Sequence, residues 1–231
     1  MYEETRLSMS TENYLLSIFR LQEQQPRLSL TQLADHLKTL PEAEGLGTSL
    51  PSVSAMIRRM VREGLVESDH KKGIILTNNG NQSGANIVRR HRLAERMVVD
   101  LLGIDLASAH IEAHRLEHAI SPELEANIVS KLGNPKTCPF GHPIPGSGYI
   151  PSEDSIPLDN ATAGMDLVVD RIPEDDQTLL EYLIENRLIP GEIVTIQEAV
   201  ASRGVITLIC NNNQVAFSYA IGSKIWAIPQ T

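Results

Sequence analysis

Apolar residues recur every three or four positions along the first 65 residues, and polar stretches marked by proline or glycine interrupt them. That spacing predicts three helices. Tyr14, Leu15, Ile18, Phe19 and Leu21 fall largely on one face of a helix over residues 10–22, with Ser10 as its N-cap and Gln25-Pro26 as its end. LTQLADHLK (30–38) makes a second, short helix with Leu30, Leu33, Ala34 and Leu37 inward. A third begins around Pro51, a favourable first helical residue, and runs through PSVSAMIRRMVREGL to a stop at Gly64, with Val53, Met56, Ile57 and Met60 inward. LVESDHKKGIILT then reads as two short strands around a charged turn at Asp69–Gly73. Three helices and a basic hairpin make a winged helix-turn-helix, whose third helix enters the DNA major groove while the hairpin, or wing, lies along the backbone. KTLPEAEGLGTSL (38–50) is longer than the usual turn of such a motif and is read as an insertion.

Ser49, Pro51, Ser52 and Ser54 stand at the leading turn of the third helix, where short hydroxyls and free amides suit phosphates and close approach to base edges. Arg58, Arg59 and Arg62 on that helix, with Lys71 and Lys72 on the wing, are candidates to neutralise phosphates. The competing readings are simple capping for the serines and an ordinary solvated face for the arginines.

The next stretch predicts a long helix from about Asn81 to Leu102-Gly103, then a second from near Leu106 to Ile120. A third, SPELEANIVSKL, has Ser121 as cap and Pro122 in first position, and stops at Gly133-Asn134-Pro135. Apolar outer stripes on this hairpin suit a two-fold dimer interface. The stretch His91–Ser121 holds four of the seven histidines. On a helix at about 100° per residue, His114 lies about 40° and His118 about 80° round from His110, with Glu117 about 20° to the other side. His91 and Glu95, four apart, make a second two-ligand face. Imidazole and carboxylate converging at such spacing build divalent-metal sites; the competing reading is a solvated polar face with scattered histidines.

Residues 133–160 carry six of the thirteen prolines and four of the fifteen glycines, the composition of a linker. Beyond them MDLVV, EIVTIQEAV, VITLICN and QVAFSYAIGSKIWAI alternate as short strands. With the helix DQTLLEYLIENRLI, which ends at Pro190-Gly191, they predict a small SH3-like barrel. The fold class is therefore mainly α with a small β module: a winged helix-turn-helix over 1–78, a helical metal-binding and dimerisation domain over 79–146, a linker over 147–162 and an SH3-like domain over 163–231.

The net charge of −9 argues against a nucleic-acid partner until it is divided along the chain. Residues 1–80 hold nine basic and ten acidic side chains, 81–150 seven of each, and 151–231 four against twelve, so the acid belongs to the C-terminal third. Two cysteines are too few for a disulfide framework and suit a reduced cytoplasm. No signal peptide and no run of about 18 apolar residues is visible, so cytoplasmic localisation without a membrane partner is expected.

HRLAER, HIEAHRLEHAISPELE and PFGHPIPG (139–146) together closely resemble the metal-dependent repressors typified by the diphtheria toxin repressor and the manganese transport regulator. The resemblance covers about residues 8–146 well and the last 65 residues loosely. It implies a homodimer that binds a palindromic operator in double-stranded DNA when loaded with metal, with two sites per subunit. The primary site maps onto Asn13, His114, Glu117 and His118. Family members usually carry methionine or aspartate at Asn13 and cysteine or glutamate at His114, and the manganese regulator's second N-terminal acid is Leu16 here. The oxygen- and imidazole-rich set that remains favours Mn²⁺ or Fe²⁺. The ancillary site maps onto His91, Glu95 and His110, completed by Glu174, with Asp170 as its substitute. Cys138 and His142 are read as structural parts of a fixed turn. Two other functions stay open: a winged-helix regulator sensing an organic ligand, and a metallohydrolase. Against the latter, HExxH is absent and no spare acid flanks the histidines.

Overall fold

The computed structural model describes residues 7–230 apart from 26, 41–45 and 70–72. The chain forms two compact units: residues up to His91 with His114–Glu125, and Arg92–Ala113 with the residues from Ala126 on.

In the first unit, α1 (Met9–Gln24) starts one residue earlier than the apolar pattern predicts. Its cap is Ser8 rather than Ser10, because the Ser8 hydroxyl accepts from Thr11 N at 3.2 Å. Asn13 thereby moves into the second turn of the helix, where it is buried. α2 (Leu30–Leu37) opens with a reciprocal capping box between Ser29 and Gln32. α3 (Leu50–Arg62) is capped by Ser49, and Pro51 follows Leu50 in the first turn. Its apolar stripe, Val53, Ile57 and Met60, meets Leu15, Leu16 and Ile18 of α1, Leu33 and Leu37 of α2, and Ile74 in one core. β1 (Val66–Asp69) and β2 (Gly73–Leu76) pair antiparallel from Val66↔Leu76 to Asp69↔Gly73, the expected hairpin. Lys71, Lys72 and His70 lie outside the described residues. Gly80, near the start of α4 (Asn78–Arg96), sits so close to β1 that a Cβ there would stand 1.8 Å from the Leu65 carbonyl oxygen.

α4 starts three residues before Asn81 and passes into a π turn over Met97–Leu101, closed by Leu102 N bonding the Met97 carbonyl. α5 (Leu106–Leu116) ends sooner than its pattern suggested. Ala119 N closes a tighter three-residue turn on the Leu116 carbonyl, so Glu117 and His118 belong to that turn. α6 (Pro122–Lys131) is capped by Ser121, whose hydroxyl accepts from Leu124 N.

The second unit holds a six-stranded antiparallel sheet in the order β3-β8-β4-β5-β6-β7. The strands are β3 (Ile156–Pro157), β4 (Asp166–Arg171), β5 (Ile193–Val200), β6 (Val205–Cys210), β7 (Asn213–Ser218) and β8 (Trp226–Pro229). Alternate residues turn inward, among them Leu167, Val169, Val194, Ile196, Ile206, Leu208 and Val215. α7 (Gln177–Glu185) is capped by Asp176. QVAFSYAIGSKIWAI is not one strand: a four-residue helix, α8 (Tyr219–Gly222) capped by Ser218, separates β7 from β8. Ile156–Pro157, inside the stretch read as linker, pairs with β8. The proline- and glycine-rich stretch before it is also packed. Cys138, Phe140 and Ile144 are buried, and Ile172 N donates to the Phe140 carbonyl at 3.0 Å. Gly141, at φ +91°, passes so near β4 that a Cβ would lie 1.9 Å from the Asp170 carbonyl oxygen. Among the described residues, no helix is long and apolar enough to cross a membrane.

Candidate metal centre

Two groups of ligand-type side chains form, one in each unit. In the first unit α1, the end of α4 and the turn after α5 converge. Glu117, fully buried, places Oε2 2.5 Å from His91 Nδ1; its Oε1 lies 3.5 Å from His114 Nδ1 and 3.3 Å from His118 Nε2. The His91 and His114 rings sit 4.6 Å apart. His118 is held between two consecutive residues of α1, with Nε2 2.6 Å from Asn13 Oδ1 and Nδ1 2.6 Å from Glu12 Oε2. Glu12 Oε1 accepts from Arg90 of α4 at 2.7 Å. Burial pushes the Glu117 carboxyl up, but the imidazoles of His91 and His114 outweigh it and hold the group down at about 2. It is therefore a carboxylate at neutral pH, yet its Oε1 accepts no hydrogen bond from the described residues.

In the second unit, Glu95 of α4, His110 of α5 and Glu174 each offer a donor atom within 4.8 Å of the others. His110 Nδ1 lies 3.1 Å from Glu95 Oε1, and its Nε2 lies 3.8 Å from Asp175. Cys138 Sγ and His142 Nε2 stand 3.8 and 3.7 Å from Glu174 Oε2, and His142 Nε2 also meets the Ile172 carbonyl at 2.9 Å. Burial, reinforced by Glu95 and Glu174, keeps the Cys138 thiol well above its ordinary range. Two buried carboxyl groups and an imidazole this close are a donor set of the kind that suits a divalent cation.

The face presented by α3 is polar and exposed. Ser49 is occupied as a cap, accepting from Ser52 N at 3.3 Å and touching Ser52 Oγ at 2.8 Å. Ser54 accepts from Arg58 at 2.6 Å, Arg59 pairs with Glu63 at 2.7 Å, and Pro51, Ser52 and Arg62 stand exposed.

Residues 6–74 match the model of the iron dependent repressor N-terminal DNA binding domain. Residues 77–146 match the iron dependent repressor metal binding and dimerisation domain, and 156–229 match the FeoA domain. Over 229 residues the chain is 33% identical to the iron-dependent repressor IdeR of Mycobacterium tuberculosis, covering 94% of this chain and 95% of that one. The chain belongs to the iron-dependent repressor family. Its other relatives include the diphtheria toxin repressor of Corynebacterium diphtheriae, 38% identical over 137 residues, 59% of this chain and 57% of that one. A solved manganese-dependent transcriptional repressor in complex with manganese is similar in fold at a TM-score of 0.82. It is 30% identical, and the match covers 95% of this chain and 100% of that one. Members of the family are metal-dependent, DNA-binding transcriptional repressors, not enzymes, and the winged-helix, helical and SH3-like parts of this chain are the family's domains.

Within this repressor, His118 meets Asn13 and Glu117, and His114 meets Glu117, so the four residues named for the primary site share one neighbourhood. His91, expected with the ancillary set, shares the α4 face of Glu95 one turn away but also reaches Glu117. Asp170 instead accepts from the Ser155 hydroxyl and pairs with Arg171. Glu12 escaped the sequence reading, although its place beside Asn13 was the available signal. So did the inward aim of Cys138 and His142, which their turn sets by a bond from Cys138 N to the His142 carbonyl.

Proposed function

We propose that this protein represses metal-homeostasis genes from the cytoplasm as a homodimer on a palindromic operator, and that Mn²⁺ or Fe²⁺ is its effector. One observation carries this reading. A buried carboxylate oxygen of Glu117 that accepts no hydrogen bond from the described residues stands within 3.5 Å of His114 and His118, and His118 is in turn met by α1 through Asn13. Amide oxygen, carboxylate and imidazole are donors that both ions accept. A bound divalent cation would supply the positive charge that lets these groups share a buried space.

Asn13, His114, Glu117 and His118 would hold one ion, and Glu95, His110 and Glu174 a second. Asn13 links the turn after α5 to α1. Leu15, Leu16 and Ile18 of that helix share a core with Val53, Ile57 and Met60 of α3, so fixing α1 fixes α3. Two α3 helices held about one DNA turn apart, ~34 Å, fit successive major grooves. There Ser49, Pro51, Ser52 and Ser54 approach the bases and phosphates, and Arg59, Arg62, Lys71 and Lys72 the phosphates. A coupling of about 1–3 kcal/mol between sites makes a usable switch. The test is operator binding by Glu117→Ala and His118→Ala in the presence of Mn²⁺. Both variants should behave as the chelated natural chain does, and an unaffected variant would remove this site from the account.

A further inference from the structure

Two consecutive residues of α1 grip one imidazole from opposite edges. Asn13 Oδ1 faces His118 Nε2 and Glu12 Oε2 faces His118 Nδ1, both at 2.6 Å. Glu12 is mostly buried, and its other oxygen is engaged by Arg90. A carboxylate can only accept a hydrogen bond, so the 2.6 Å contact requires the proton to sit on Nδ1. The lone pair of a neutral His118 then lies on Nε2, directed to the side where Asn13 Oδ1 and Glu117 Oε1 stand at 2.6 and 3.3 Å. Without a cation, the 2.6 Å contact at Nε2 needs either a second ring proton or the Asn13 amide turned to donate Nδ2–H; a cation among Nε2, Oδ1 and Oε1 removes that need.

We propose that Glu12 is a positioning residue for the metal. It fixes the Nδ1–H tautomer of His118 and, braced by Arg90, holds the ring with Nε2 toward Asn13 and Glu117. The inference rests on His118 being a ligand, as read above. Glu12 itself stays out of the coordination set because both of its oxygens are already committed, one to the ring and one to the guanidinium. A ligating imidazole is commonly fixed in this way by a carboxylate on its other nitrogen, and losing that partner weakens metal binding about 10–100-fold.

The experiment uses the full chain in a His110→Ala background, so that only this site reports. Mn²⁺ affinity is measured by competition with a chelating dye for the parent, Glu12→Ala, Glu12→Gln and His118→Ala. The ring tautomer of His118 is read by ¹⁵N NMR in metal-free protein. His118→Ala should lose binding outright, and Glu12→Ala should weaken it about 10–100-fold. Glu12→Gln keeps an acceptor and should fall between Glu12→Ala and the parent, which also covers the case in which the alanine variant misfolds. The parent should show Nδ1–H, and both Glu12 variants should show a growing share of Nε2–H. If His118→Ala binds Mn²⁺ normally, the ligand reading itself fails. If His118→Ala loses binding while Glu12→Ala matches the parent in affinity and tautomer, the ligand reading stands and the positioning role is overturned. Loss in Glu12→Ala as complete as in His118→Ala, with the tautomer unchanged, makes Glu12 a ligand and overturns the positioning role as well.

Discussion

Replacing Glu117 by glutamine keeps the shape of a buried group and removes its charge. Burial opposes that charge, but His91 and His114 favour it enough to bring the carboxyl from 4.5 to about 2. A carboxyl lowered on folding adds its full stability above its unfolded value and gives it up as pH falls through the folded one. That lowering, from 4.5 to about 2, is worth ~3 kcal/mol at neutral pH and roughly half as much near pH 3. Glutamine has no charge for the imidazoles to favour. Metal-free Glu117→Gln should therefore be ~3 kcal/mol less stable than the natural chain at pH 7, with the difference narrowing on acidification. Urea unfolding in chelator, followed by circular dichroism from about pH 7 to about pH 3, measures both quantities. A variant at least as stable as the natural chain at neutral pH would refute the reasoning, as would a difference that ignores pH. Either result would mean that the imidazoles do not hold this carboxylate in the absence of metal.

Other positions test other links. Gly141→Ala forces a Cβ to within 1.9 Å of the Asp170 carbonyl at a φ of +91°. It should cost about 3 kcal/mol or more and lower the melting temperature by roughly 6–12 °C, read by calorimetry. Leu16→Ala, at a fully buried site in the core that joins α1 to α3, should cost about 2–5 kcal/mol by denaturant titration. Arg62→Ala, which removes an exposed cation from each α3 of the dimer, should weaken operator binding at every sequence and reduce the slope of log affinity against log salt by about 1.8, about 0.9 for each of the two contacts. An unchanged slope would take Arg62 off the phosphates.

What the sequence made legible was chiefly local. The apolar stripe Val53, Ile57 and Met60 with Ser49 and Pro51 ahead of it defines α3, and Val66–Leu76 announces its hairpin, because helical and strand periods are written in neighbouring residues. The pairs His91/Glu95 and His114/His118 were visible as ligand faces for the same reason. Contacts across long stretches of chain were not. His91 meets Glu117 26 residues away and His118 meets Glu12 106 residues away, and neither spacing leaves a periodic trace. The early end of α5 depends on one tight turn at Leu116–Ala119, and the π turn at Met97–Leu101 on an extra residue per turn; both are invisible to a count of apolar positions. Proline and glycine density marked residues 133–160 as a linker around a fixed turn in PFGHPIPG; the turn is there, but Phe140 and Ile144 are buried and Ile156–Pro157 pairs with β8. Composition reports backbone freedom before packing decides how it is used.

The central claim is that an ion bound at Asn13, His114, Glu117 and His118 sets how well the paired α3 helices fit DNA. Its most direct test is one titration of the full-length dimer against an operator fragment from the chain's own upstream region, run in chelator and again in saturating Mn²⁺ or anaerobic Fe²⁺ at constant ionic strength. Metal should tighten binding by about 5–150-fold, the range of a coupling of about 1–3 kcal/mol. Equal affinity in chelator and in both metals would contradict the account.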